Sequence, residues 1–143
     1  MRKINKKARF NYKLLERFEA GISLIGAEVK AIRIGHVDIS NSYAKIIDNE
    51  VYLVNANISV VGKKKYNATR SRKLLLHKNQ ITSLKTKTKA KSLTLVPTKV
   101  YTKGRLIKVE IALAKAKRKF EKKEAIKKRD IKREIEVELR GRT

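Results

Sequence analysis

The chain has no cysteine, which removes disulfides, thiolate metal sites and cysteine nucleophiles from consideration. Its two histidines, His36 and His77, are too few for a conventional zinc enzyme centre. No apolar run approaches the roughly 18 residues of a membrane-spanning helix. The opening MRKINKKARFNYKLLERF lacks the apolar h-region of a signal peptide. Proline occurs once, at Pro97. Above all, negative charge is scarce: 13 acidic residues stand against 38 lysines and arginines, a formal charge of +25 over 143 residues. Self-repulsion at that density opposes compaction and favours polyanionic partners. Nucleic acid and an anionic membrane surface are the candidates, and the missing apolar run weighs against the membrane. The expectation is a cytoplasmic nucleic-acid-binding protein.

Enzyme signatures are missing as well. There is no Walker loop, G-x-S-x-G, H-E-x-x-H or GxGxxG. The acidic residues of the first 114 positions, among them Glu16, Asp38, Asp48 and Glu110, are scattered rather than clustered. The expectation is binding without catalysis, with no metal, no cofactor and no small-molecule substrate.

What is present is enough for one modest core, since 41% of residues are hydrophobic. Residues 1–13 read as a basic arm with Arg2, Lys3, Lys6, Lys7 and Arg9. FEAGISL reads as a strand bending at Gly21. In LIGAEVKAIRI, Ile25, Val29 and Ile32 have helical spacing, and Gly35 follows where a left-handed cap is wanted. Residues 43–47 and 51–56 form a predicted hairpin about the polar Asp48-Asn49-Glu50. After the basic loop GKKKYNATRSRK, a second helix is predicted, with Ser71 as N-cap and Leu74, His77, Ile81 and Leu84 on one stripe. Alternation over residues 93–100 and at Ile107, Val109, Ile111 and Leu113 gives a second hairpin about Lys103-Gly104. Pro97 there implies an edge or a bulge. Five or six short strands with two helices between them, and no βαβ rhythm, describe a mostly β fold. A small OB-like barrel with two or three flanking helices is the economical architecture.

Two features bear on recognition. Arg70, Arg72 and Lys73 gather at the predicted start of the second helix, an arrangement suited to phosphate or to a plain solvated face. Glu19 and Glu28 are out of place on a cationic RNA surface. Each either accepts a hydrogen bond from a 2′-hydroxyl or base amine, or forms an internal ion pair.

The blocks NKKARFNY, FEAGISLIGAEVKAIRIGHVDISNSYAKI, NANI, RSRKLLLHK and IKVEIALAKAKRKFEKK, in that order and spacing, resemble the small protein B family, the tmRNA-binding proteins of bacterial trans-translation. The resemblance implies an OB-type barrel domain over residues 1–114 and a basic tail over 115–143. It implies binding to the tRNA-like domain of tmRNA, with Glu19, Leu75 and Lys108 facing the RNA, and delivery to stalled ribosomes. Elongation factor Tu enters the expected partner set through the tmRNA complex. The tail holds thirteen Lys or Arg and six Asp or Glu. In the family it lies as a helix in the empty mRNA channel against small-subunit rRNA, which here assigns Lys117, Arg118, Lys119, Phe120, Glu121, Lys122, Lys123, Ile126 and Lys127 to the channel and decoding region. Such a helix over residues 115–135 spans roughly 30 Å. Its charge leaves it unfolded alone, so ordering is coupled to binding. Phe120 stands where the family carries Tyr or His. Ala27, Ala68 and Ala116 depart from a bulky residue, a proline and a glycine, and Ala116 favours a helix over a hinge. EIEVEL at 134–139 reads equally as strand or helix. The competing reading is a ribosomal protein with a basic rRNA-binding extension.

Overall fold

In the computed structural model the described residues are 1–118 together with Lys122, Lys123, Ile126, Arg129 and Arg133. Chain order is β1 (Arg2–Ile4), α1 (Lys6–Asn11), β2 (Tyr12–Ile22), α2 (Gly26–Arg33), β3 (Val37–Asp38), β4 (Tyr43–Ile47), β5 (Glu50–Val54), β6 (Asn57–Ile58), β7 (Arg72–Leu75), α3 (Lys78–Lys91), β8 (Thr94–Lys103) and β9 (Leu106–Ala116). The fold is mostly β with three helices among the described residues. All pairings are antiparallel. β8 meets β9 along one edge and β4 on the other, so β8, β4, β5, β7, β2 and β9 close into a ring. β1 extends β8's second edge, and β3 pairs with β6 apart from the ring.

Alternation fills the ring. Val51 and Leu53 of β5, Leu74 of β7, and Val109, Ile111 and Leu113 of β9 point inward and are buried. Ile32 from α2 and Ile81 and Leu84 from α3 join them. The β4–β5 turn is two residues, Asp48 and Asn49, both at positive φ of 49° and 62°. That is the twist-matched turn a tight hairpin needs. Pro97 sits at a bulge, where the β8–β9 register slips between Pro97 and Lys99.

Three expectations need correction. The N-terminal residues are not a free arm. β1 pairs with β8, and Asn5 is buried, its Oδ1 accepting from the Ala8 N–H at 3.0 Å while Nδ2 donates to Ile39 O and Pro97 O at 3.0 and 2.9 Å. Within β2 the pairing with β9 shifts register between Leu14 and Arg17. The second interior helix begins at Lys78 with His77 as N-cap, and RKLL is the strand β7. The stripe from Leu74 to Leu84 therefore joins a strand residue to helix residues that happen to share the core. Ala116 ends β9 opposite Tyr12, so it continues a strand rather than starting a helix. EIEVEL lies outside the described residues.

Candidate nucleic-acid interface

Cross-strand partners project to the same face of a sheet. Gly21 of β2 stands opposite both Leu75 of β7 and Lys108 of β9, and Lys108 stands opposite Tyr101 of β8. Their neighbours Ala20, Leu74, Val109 and Val100 are all buried. The row Tyr101–Lys108–Gly21–Leu75 therefore runs across four strands on the outside of the ring. Glu19 lies on the same face, two positions before Gly21.

Beside this row is a groove of about 730 Å³, lined by Glu19, Leu75 and Lys108 together with His77, Arg105 and Leu106. Its floor is apolar and exposed: Leu75 is 54% and Leu106 61% accessible. Apolar side chains left in solvent within so cationic a surface suit the face of a ribose or base. Gly21 makes room for this floor, since a Cβ there would lie 3.3 Å from the Leu75 Cβ.

Glu19 is held in place. The Tyr101 hydroxyl donates to its carboxylate, and Lys103 Nζ lies 3.5 Å from Oε1. The Tyr101 hydrogen bond, with Lys103 and Lys108 nearby, outweighs partial burial and keeps the carboxyl below its ordinary value. Burial and the bond to Glu19 push the Tyr101 phenol up. Glu19 thus stands as an oriented acceptor, and Tyr101 as a neutral donor with Lys99 Nζ 5.2 Å from its ring centroid.

The second unusual carboxylate has a different fate. Glu28 is fully buried and ion-paired to Arg72, also fully buried, and to Arg70. Arg72 Nε and Nη2 donate to Glu28 Oε2 at 2.9 and 2.6 Å, and Nη1 donates to Ala56 O at 2.6 Å. Tyr66 OH adds a bond to Glu28 at 2.8 Å. Burial alone would raise the Glu28 pKa, but bonds from Arg70, the Ile25 N–H, Arg72 and Tyr66 bring it down to about 2. Arg72 is accordingly reassigned from RNA contact to internal support, because every guanidinium nitrogen is spent inside the fold. Arg70 is partly exposed but also committed to Glu28. Lys73 faces outward, with Nζ 3.3 Å from Glu50.

Of the sequence-derived contacts, the structure brings Glu19, Leu75 and Lys108 into one groove, places Lys73 on the adjoining outer face and removes Arg72 from the surface. Sequence reading missed Gly21, Tyr101, Arg105 and Leu106. The register of the β8–β9 hairpin could have flagged Tyr101, because the turn at Gly104 sets it opposite Lys108. In the tail, Lys117 follows β9, its N–H bonded to Asn11 O at 2.9 Å and its Nζ to Arg9 O at 3.1 Å. Lys122, Lys123 and Ile126 have helical backbone, with the Lys122 N–H 3.2 Å from Arg118 O. Lys119, Phe120, Glu121 and Lys127 lie outside the described residues.

A cationic β-ring with an apolar-floored groove, an oriented carboxylate and basic residues at its rim has the chemistry of a nucleic-acid-binding protein. The SmpB protein family model matches residues 3–141. The chain is 49% identical to the SsrA-binding protein of Sulfurihydrogenibium sp. over 141 residues, 96% of this chain and 93% of that one. It is 47% identical to that of Malacoplasma penetrans over 140 residues, 96% of each. Among solved structures, a chain from work on tmRNA–SmpB and its journey to the centre of the bacterial ribosome superimposes with a TM-score of 0.68 at 43% identity, over 87% of this chain and 94% of that chain. This chain belongs to the SmpB family.

Proposed function

We propose that this protein binds the tRNA-like domain of tmRNA and brings it to ribosomes stalled without a codon in the A site. The observation that carries the reading is the groove: Glu19, Leu75 and Lys108, far apart in sequence, line one concavity. Lys108 and Arg105 neutralise phosphates at its rim. Glu19 cannot, and as an ionised acceptor it takes a hydrogen bond from a 2′-hydroxyl or an exocyclic amine. Leu75 and Leu106 meet the face of a ribose or base. A surface built for phosphate alone would have no use for the carboxylate.

We read the strand ring as an OB-like barrel forming the body, which β9 carries two residues past the expected boundary to Ala116, and the residues after it as a separate ribosome-binding tail. The tail becomes helical in the empty mRNA channel, where rRNA phosphates relieve its repulsion and Phe120 stacks on an unpaired base near the decoding centre. Elongation factor Tu joins through the tmRNA complex, and the work is cytoplasmic and non-catalytic.

The test is a gel shift with tmRNA against ordinary tRNA across a salt series. Each neutralised phosphate contributes a log–log slope of about −0.7 to −0.9. Selectivity for tmRNA that persists as salt rises is the expected result. Loss of both RNAs in parallel would leave only an unspecific cation.

A further inference from the structure

We propose that the RNA surface continues past Leu75 into a second groove, where Lys78 and Lys85 hold phosphates of the strand that occupies the first. The inference rests on the RNA-binding reading above. The second groove, about 750 Å³, lies between β7, the start of α3 and the β4–β5 turn. Both grooves are lined by Leu75 and Leu76. Leu75 is therefore a ridge between them, and a chain lying on it in one groove is led into the other.

The lining of the second groove is made for a polyanion. Lys73 comes from β7, while Lys78 and Lys85 come from α3. Lys78, Thr82 and Lys85 follow at four- and three-residue steps, which puts them on one helix face. Both α3 lysines are exposed. Lys85 Nζ is steadied by Asn49 Oδ1 at 2.9 Å, so the side chain is extended across the groove before any ligand arrives. α3 itself carries no acidic residue along its length. Among the described residues, the only carboxylate lining the groove is Glu50, already engaged by Lys73. A groove open to solvent, rimmed by ammonium groups and continuous with an apolar ridge fits a phosphodiester strand. It offers no enclosed apolar pocket for a small ligand.

The experiment compares wild type, Lys78→Gln/Lys85→Gln and a charge-matched control, Lys63→Gln/Lys64→Gln. The control removes two exposed lysines from the 62–71 loop that line neither groove. Binding of the isolated tRNA-like domain is measured across a salt series, with hydroxyl-radical footprinting of each complex. Two lost phosphate contacts reduce the steepness of the negative slope of log K against log salt by about 1.4 to 1.8. The α3 variant is expected to show that fall and to lose protection of a few nucleotides adjoining a footprint that otherwise remains. The control is expected to keep the wild-type footprint and a slope closer to wild type. An unchanged slope in the α3 variant, or an equal fall in both variants with identical footprints, would overturn the second groove while leaving the first intact. Failure of wild type to bind the tRNA-like domain would overturn both readings.

Discussion

Glu28 and Arg72 form an ion pair sealed from solvent, Nη2 to Oε2 at 2.6 Å, that ties the first turn of α2 to β7. The same carboxylate receives Arg70 and Tyr66, so the basic 62–71 loop is anchored at both partners. β7 carries Leu75 three residues after Arg72. The buried pair therefore holds the strand whose outer end forms the ridge of the proposed RNA surface.

Removing one member of a buried pair strands the other charge, which typically costs about 3–5 kcal/mol. Glu28→Gln is expected to destabilise the body by an amount of that order, read as a lowered urea midpoint. A double change of Glu28 and Arg72 to apolar residues of similar volume should recover much of the loss. A Glu28→Gln protein as stable as wild type would show that the pair contributes nothing.

Acid should find the same site. The Glu28 carboxyl falls from 4.5 to about 2 in the folded protein. A depressed folded value means the unfolded chain binds the proton more readily, so stability falls as pH falls. The Glu28 contribution is complete above about 4.5 and drains away between there and about 2. Urea midpoints measured across that window should slope more steeply for wild type than for Glu28→Gln. Parallel slopes would assign the acid sensitivity elsewhere.

Leu75 and Gly21 should separate binding from stability. Leu75→Ala removes an exposed side chain, so stability should change by no more than about 0.5 kcal/mol. Loss of its apolar contact should weaken tmRNA binding by about 1–2 kcal/mol. Gly21→Ala pushes a Cβ to 3.3 Å from that of Leu75 and must displace it. Its affinity should fall by up to about tenfold, while its thermal midpoint stays close to wild type, the tight contact with Leu75 being set against the reduced freedom of the unfolded chain. Calorimetry and gel shift on the two proteins read this out, and parallel losses of both quantities would contradict it.

Phe120→Ala should abolish tagging on stalled ribosomes with tmRNA affinity nearly unchanged. Stacking of one aromatic on an unpaired base is worth about 1–3 kcal/mol, and the two-surface proposal assigns that contribution to the decoding centre and not to the tRNA-like domain. Tagging in a reconstituted translation system, set beside tmRNA gel shifts, checks the separation. Equal losses in both would join the two surfaces into one.

The basic character, the β4–β5 and β8–β9 hairpins, a break in pairing at Pro97 and the left-handed Gly35 that follows α2 were all legible from local chemistry. Turn residues, alternation and charge act over a few positions and leave their mark in the string of letters. Arg72 and the start of α3 were not legible. A buried arginine breaks the apolar alternation that announces a strand, and the reason it can be buried, Glu28, lies on another element 44 residues away. The row Tyr101–Lys108–Gly21–Leu75 was equally hidden. It exists because ring closure sets the register of four strands at once, and register is a property of long-range pairing that no single segment encodes.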